Sequence, residues 1–495
     1  MPRILFFKTS NNNLYMYSYN KNYILLSNSV FIKLFIKTYK KEINNESKLY
    51  REIIDLVDDM KYTYSEMKNF INKFRLLQET NFFNEPKFSK IFKGKLKEYD
   101  IEYSLANSKT ITFEITEKCN LLCKYCFYGE HYSQYNPRKN LNLSLEDAKA
   151  VITYLTPKWN SRINVSKEKD IYIGFYGGEP LMNFPFIKEI VEYTKSLALS
   201  NGLNFRYNMT TNATLLLKHI QYLVDNDFLL TISLDGNEQF NIYRVYANGK
   251  ASYTTVYKNV QFIRKKYPAY FKNNVKFNAV LHDKNDFIQV KSFILDEFDA
   301  TVNCSILNPL QSGDKFRYKS HIYNLGVERD VKCFLSSNEI FNYNSFLRNF
   351  SNFHFEDYND VLFRSKERKY LPTGTCNPFS RRIFITAQGE ILPCETIGHR
   401  FSLGKVNRGH VNINIEKVIS QYNDYFSKIG KYCQSCYAIN SCEKCIYLNL
   451  IKEDGVIHCK KVTSRELSAH LANHYSVFEE LPIVYKKAWE EIRYA

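Results

Sequence analysis

No stretch of about 18 consecutive apolar residues occurs in this chain, so no segment is expected to cross a membrane. A secretory signal is also missing: the opening MPRILFFKTSNNN has too short an apolar stretch, and Asn and Lys follow at once. Basic residues exceed acidic ones by 17, yet no unbroken basic block accompanies the excess. The densest knot, Arg364 to Lys369, is interrupted by Glu367. Nothing therefore marks a nucleic-acid-binding arm. Lys, Asn, Ile, Tyr and Phe are all abundant and have A/T-rich codons, which explains much of the charge; a basic groove for an acidic partner is the other reading. Internal repeats and low-complexity tracts are absent, and residues 1–90 contain no cysteine. What remains is a cytoplasmic globular protein whose 495 residues suit two to four domains.

Cysteine is the informative residue. Of twelve, three lie at 119, 123 and 126 and seven between 376 and 459, with Cys304 and Cys333 apart. In a reducing compartment such clusters are metal ligands or redox groups rather than structural disulfides.

Short β-prone runs open the chain at Ile4–Lys8, Leu14–Tyr19 and Tyr23–Leu26, followed by helical patterns near 29–41, 48–58 and 62–77. Three strands and then three helices is a winged-helix-like order for residues 1–90, the alternative being a packing appendage. From Thr110 strands and helices alternate. Strands are expected at Thr110–Ile115, Ile171–Tyr176, Asn204–Met209, Leu229–Leu234, Val275–Leu281 and Ala300–Leu307, with a helix at 144–156 opened by Ser144 and Asp147. Six such units imply an α/β fold with a parallel sheet, open or a partial barrel, over 105–307. A helical connector is expected over 308–370, with patterns near 336–350 and 357–368. A Cys-rich segment of little regular periodicity follows over 371–460, then a C-terminal helix within 461–495.

Cys119-x3-Cys123-x2-Cys126 directly follows the first barrel strand, with no fourth cysteine nearby. A four-iron cluster normally takes four thiolates, so three leave one iron for an exogenous ligand; a zinc site would want a fourth ligand, and His131 has the wrong spacing. With the motifs that follow, this loop resembles the radical S-adenosylmethionine superfamily, and the resemblance covers roughly residues 110–307. It implies a partial (β/α)6 barrel of the TIM type. It also implies a [4Fe-4S] cluster whose open iron binds S-adenosylmethionine, cleaved reductively to a 5′-deoxyadenosyl radical. Tyr125 would lie near the adenine. Gly177, Gly178 and Glu179, after the second strand, would approach the ligand, Glu179 taking its amino group. Asn212, Ser233 and Asp235 would contact ribose and carboxylate, with Arg244 near that carboxylate. The plainer readings are a helix N-cap for Asn212 and a turn for Asp235-Gly236.

The later spacing, Cys376-x12-Gly389-x4-Cys394, then Cys433-x2-Cys436-x5-Cys442-x2-Cys445, then Cys459, resembles the SPASM domain. This implies two auxiliary [4Fe-4S] clusters, three in all. Cys433, Cys436, Cys442 and Cys459 would hold one fully. Cys376, Cys394 and Cys445 would hold the other through three thiolates, with an open iron or a fourth ligand from Cys333 or Cys304, for which a buried thiol is the plainer role. Two departures from the family are the pair Glu443-Lys444 where three residues are usual, and Tyr370 where some members have another cysteine. Glu395 sits where sulfatase-maturating relatives carry a proton-accepting aspartate, and is the candidate catalytic base.

Together these imply an oxidoreductase that crosslinks a ribosomally made precursor peptide, its leader held by the N-terminal strands. A flavodoxin or ferredoxin would supply electrons, with no membrane or nucleic-acid partner. The alternative enzyme is an anaerobic sulfatase maturase forming formylglycine, and a remoter one is a zinc-stabilised nucleic-acid-binding protein.

Overall fold

A computed structural model of the chain describes residues 4–18, 23–27, 63–80, 95–126, 139–166, 169–285, 287–306, 375–433 and 461–480, with scattered positions elsewhere. The expected helix at 48–58, the connector 308–370, Cys333, Tyr370 and Cys442 lie outside the described residues.

Strands β1 (Ile4–Lys8), β2 (Leu14–Ser18) and β3 (Tyr23–Ser27) form an antiparallel sheet in that order. Their apolar residues do not alternate with polar ones, because both faces are covered. Leu5, Phe7, Tyr15 and Tyr17 join the main core, while Ile4, Phe6 and Met16 pack with Phe31, Ile32, Phe35 and Phe70. Phe70 comes from helix α1 (Tyr64–Glu79), which begins after Thr63 because Thr63 and Glu66 cap it reciprocally.

After helix α2 (Glu98–Ala106) the chain runs β4 (Thr110–Thr116), α3 (Leu145–Trp159), β5 (Asp170–Gly177), α4 (Phe184–Asn201), β6 (Asn204–Thr211), α5 (Ile220–Asp225) and β7 (Leu229–Ser233). It continues α6 (Tyr253–Lys266), α7 (Pro268–Asn274), β8 (Val275–Leu281), α8 (Phe287–Phe298) and β9 (Val302–Ile306). Ser144 caps α3 by accepting from the Asp147 amide. Strands β4 to β9 are parallel and neighbour one another in chain order, so every crossover advances in one direction, as a partial barrel of six β/α units requires.

A parallel sheet buried on both faces reads as continuous apolar strands. These strands alternate instead. Ile111, Phe113 and Ile115, Ile171, Ile173 and Phe175, and Phe277 and Ala279 are fully or almost fully buried toward the helices. The residues between them, among them Glu114, Tyr176, Thr210, Thr231, Ser233 and Asn278, give the inner face a polar lining. The barrel thus encloses polar space.

The Cys-rich segment departs from the irregular structure expected of it. Strand β10 (Ile383–Ile385) pairs in parallel with β4, and β11 (Glu390–Leu392), β12 (Gly404–Asn407) and β13 (His410–Asn412) continue antiparallel, giving ten strands in the order β13-β12-β11-β10-β4-β5-β6-β7-β8-β9. Three-residue strands are too short to show a period. Helix α9 (Ile415–Cys433) does carry a helical stripe, with Val418, Tyr422, Phe426, Ile429 and Cys433 buried. An apolar core therefore supports this segment. Gly389 makes its first hairpin: at φ +79° it lies where a Cβ would meet the Val406 carbonyl at 2.1 Å.

Helix α10 (Ser464–Glu480) returns to the N-terminal sheet, where Glu479 accepts hydrogen bonds from Thr9 Oγ1 (2.7 Å) and the Tyr15 hydroxyl (2.6 Å). Among the described residues no helix is long and apolar enough to cross a membrane.

Candidate active site

The three-cysteine loop leaves the C-terminal end of β4, where ligands bind in parallel α/β folds. Two glycines bring it against β5. Gly177, at φ +141°, lies where a Cβ would sit 2.2 Å from the Thr116 carbonyl oxygen, and a Cβ on Gly178 would lie 2.2 Å from that of Lys118. The amides of Gly178 and Glu179 donate to these same carbonyls at 2.8 and 2.9 Å. The two glycines therefore let the backbone ahead of Cys119 approach closely.

On its other side the loop forms a short antiparallel ladder: the Leu122 and Lys124 amides donate to Val245 (2.7 Å) and Tyr243 (3.0 Å) carbonyls, and Leu121 bridges to Tyr246. Cys123 and Arg244 consequently face each other inside. Burial pushes the Cys123 thiol up to about 12; Arg244 opposes this, while Cys126 and Cys119 add to it, which places all three sulfurs in one region. A thiol held so high ionises only when metal charge displaces the proton, which suits Cys123 as a ligand of a cluster. Among the described residues no three His, Cys, Asp or Glu side chains converge tightly enough to hold a single metal ion.

Glu179 is completely buried. It accepts from the Leu181 amide (3.1 Å), Thr211 Oγ1 (2.8 Å) and the Asn212 amide (2.7 Å). Burial outweighs these three bonds and raises its carboxyl to about 7. A carboxylate with neutral donors and no cation is electrostatically incomplete, and an ammonium group completes it. The fit to the amino group of S-adenosylmethionine is good on this ground. Asn212 Nδ2 donates to Asn120 Oδ1 (2.9 Å) and approaches Cys119 Sγ at 3.8 Å, while its Oδ1 accepts from Thr214 Oγ1 (2.6 Å) and the Thr214 amide (3.0 Å). It tethers the cysteine loop to the end of β6 and is not the N-cap of a helix.

Asp235 is fully buried beyond β7. One oxygen accepts from Arg244 (2.9 Å) and the Val280 amide (2.8 Å); the other accepts from the Tyr125 hydroxyl. Burial would depress the Arg244 guanidinium, but Asp235 more than offsets it and keeps the charge. Both carboxylate oxygens are thus engaged within the protein, so Asp235 orients Arg244 and Tyr125. Among the described residues Arg244 Nε has no hydrogen-bond partner although it is buried, a donor available to a ligand. Ser233 lines the inner face near β8, opposite Asn278. The sequence reading missed His282, whose ring lies 6.0 Å from that of Tyr125 and 4.8 Å from that of Tyr243; burial lowers its affinity for a proton. No motif marks it, and only its place at the end of β8 signals it.

Across β4, Glu395 is clamped by Arg382, and its other oxygen lies 3.3 Å from Cys394 Sγ. Burial would raise the Glu395 carboxyl, but Arg382 holds it below the usual range. Tyr176 faces this pair and also Cys126: burial raises its hydroxyl, and Glu395, Cys126 and Glu114 raise it further. Tyr176 and Arg382, neither singled out from sequence, therefore link the three-cysteine loop to Cys394. Tyr422 lies beside both Cys445 and Cys376, and the Ile446 amide donates to Thr375 Oγ1 at 2.8 Å. Cys433 and Cys436 adjoin through a 3.0 Å backbone bond, and the Val462 amide points at Cys436 Sγ (3.4 Å). Cys459 is half-buried. Cys304 packs with Ala279, Leu281 and Val290 on β9, at the opposite end of the sheet from β10.

Residues 113–294 match the family model described as the Radical SAM superfamily. Curated relatives include a cysteine-type anaerobic sulfatase-maturating enzyme of Clostridium novyi, 26% identical over 57% of this chain and 71% of its own. A radical SAM cyclopropyl synthase, TigE, of Paramaledivibacter caminithermalis is 23% identical over 85% of this chain and 90% of its own. Among solved structures, native anSMEcpe with bound AdoMet and a Cp18Cys peptide superposes with a TM-score of 0.52 at 18% identity, over 78% of this chain and 99% of that one. The cysteine loop at the end of the first barrel strand, the six parallel strands and the family match agree, and the chain carries a Radical SAM superfamily domain.

Proposed function

We propose that this radical S-adenosylmethionine enzyme oxidatively crosslinks a ribosomally made peptide. When bound, the reduced cluster and S-adenosylmethionine supply a hydrogen-abstracting carbon radical. This chain's own residues do the rest. Glu179 holds the ammonium group of the cofactor, Asp235 fixes Arg244 and Tyr125 against it, and the polar inner strand face receives substrate beside them. The observation that carries the oxidative reading is the Glu395 carboxylate, clamped by Arg382 and 3.3 Å from Cys394, a cysteine proposed to ligate an auxiliary cluster, with Tyr176 within electrostatic reach of both Glu395 and Cys126. Glu395 accepts the proton that an oxidised substrate radical loses, and Arg382 holds it in place. Cys376, Cys394 and Cys445 are proposed for one auxiliary cluster, and Cys433, Cys436, Cys442 and Cys459 for the other.

Crosslinking is favoured by the similarity to the cyclopropyl synthase, which runs over nearly all of both chains. The second reading, formylglycine formation, is favoured by the sulfatase-maturating relative. Anaerobically reconstituted enzyme, given candidate precursor peptides and a sulfatase-type peptide, distinguishes them by mass spectrometry. A product that captures an aldehyde reagent supports formylglycine. A product two hydrogens lighter and inert to that reagent supports a crosslink.

A further inference from the structure

The ladder that holds the cysteine loop has two faces. Along 121–125 the chain alternates: Leu121 and Tyr125 are buried and Cys123 is partly covered, while Leu122 and Lys124 point out, Leu122 at 56% exposure. Antiparallel pairing of Leu121 with Tyr246 sets Leu122 opposite Val245 and Lys124 opposite Tyr243, and the Lys124 ammonium lies 6.0 Å from the Tyr243 ring. The inner face thus carries Cys123 and Arg244, and the outer face an exposed leucine, a lysine and an aromatic ring. From solvent to the Cys123 ligand is the thickness of one residue.

The surroundings are basic. Lys250, in the turn that continues the ladder, and Lys284 are exposed. The nearby carboxylate, Asp283, accepts from the Tyr243 hydroxyl (2.8 Å) and pairs with Lys284 (3.2 Å), so it does little to repel an acidic partner. An apolar contact flanked by Lys124 and Lys250, with Lys284 and Asp283 cancelling, on a chain of net charge +17, is complementary to an acidic surface with an apolar centre.

We infer that the outer face of this ladder is the docking surface for an acidic one-electron carrier protein of the flavin or iron–sulfur class. The step is a transfer of one electron: the carrier is oxidised, the cluster held by Cys119, Cys123 and Cys126 is reduced, and no bond or proton changes place. The inference rests on the proposed radical chemistry and adds where its electron enters.

The test uses the full chain and a recombinant flavodoxin. Affinity is measured by calorimetry across ionic strength, alongside the rate of cluster reduction by flavodoxin hydroquinone and 5′-deoxyadenosine formed with dithionite. Lys124→Glu is expected to weaken flavodoxin binding at low salt roughly tenfold and to flatten its salt dependence, and Leu122→Ala to weaken it without changing that dependence. Both are expected to keep dithionite-driven activity. Lys272→Glu, at the opposite end of the strands, is the control for net charge. Unchanged binding and reduction in both ladder variants, or an equal loss in Lys272→Glu, overturns the inference. Absence of 5′-deoxyadenosine with dithionite in the parent chain overturns the underlying radical reading instead.

Discussion

Asp235→Asn isolates the ion pair beneath the candidate active site. Asp235 is completely buried and Arg244 nearly so, and their polar atoms lie 2.9 Å apart. The amide preserves shape and an acceptor for the Val280 amide but leaves the guanidinium without its counter-charge. At an effective dielectric constant of about 20 the lost attraction is about 4–6 kcal/mol. Breaking one side of a buried pair costs about 3–5 kcal/mol in practice. For a domain of this size each kcal/mol shifts Tm by about 2–4 °C, so the variant should melt roughly 6–20 °C lower. The assay is thermal melting of the cluster-free chain by circular dichroism, in chelator, which separates the effect from cofactor binding. Arg244→Met added to Asp235→Asn should recover much of the loss by removing the stranded charge. A single variant melting within about 2 °C of the parent, or a double variant no better than the single, would refute the hub role assigned to Asp235.

Glu179 predicts a pH dependence. Its carboxyl rises from 4.5 to about 7 on folding, so the native state binds the extra proton between those values, and cluster-free stability should fall by about 3 kcal/mol as pH climbs through them. S-adenosylmethionine affinity should rise over the same range as the carboxylate forms. Glu179→Gln should flatten the stability profile and abolish the rise in affinity, both checked by denaturant melts and calorimetry. Gly178→Ala must move the Lys118 carbonyl by about 1 Å to relieve a 2.2 Å contact. Iron content at the first cluster should drop, and stability should fall by about 1–3 kcal/mol. Glu395→Gln should leave iron content and 5′-deoxyadenosine formation intact while lowering peptide product about 100-fold. Full product from that variant would remove Glu395 from the reaction.

The barrel was legible in sequence because its strands are short β-prone runs and its longer helices, such as α3, show a period; Val275–Leu281 appears as expected, and Ser144 caps α3. The cysteine loop was legible because its spacing is local. What the sequence hid is relational. Glu114, Tyr176 and Asn278 look like ordinary strand polar residues until the register turns them inward together. Arg382 lies thirteen residues before Glu395, with two strands between them, so nothing local announces their pair. Motifs give the position of Asp235 but not the donors, Arg244, Tyr125 and the Val280 amide, that its folded carboxylate gathers. The contact of the N-terminal sheet with the C-terminal helix was hidden too: Thr9 and Tyr15 bond to Glu479 more than 460 residues away.

The hydrogen-bonded sheet also sets the distance between the two cysteine-bearing regions. Strand β4 delivers the three-cysteine loop and β5 on one side delivers Glu179; on the other, β10 leads into the Gly389 hairpin, and β11 carries the chain back along the sheet to Cys394. Neighbouring strands lie about 4.8 Å apart, so the loops leaving β4, β5 and β10 at one end, the last of them the Gly389 hairpin, fall within about 10 Å of each other, while Cys394 is held through β11 to the same ladder. β10 pairs through Ile383–Ile111, Phe384–Thr112 and Ile385–Phe113, so a shift of the Cys394 hairpin relative to the Cys119 loop would require breaking this ladder. A flexible tether between two domains would let that gap vary; a shared strand does not. The pairing of β10 with β4 is therefore what holds Cys394 and Glu395 at fixed range from the Cys119 loop.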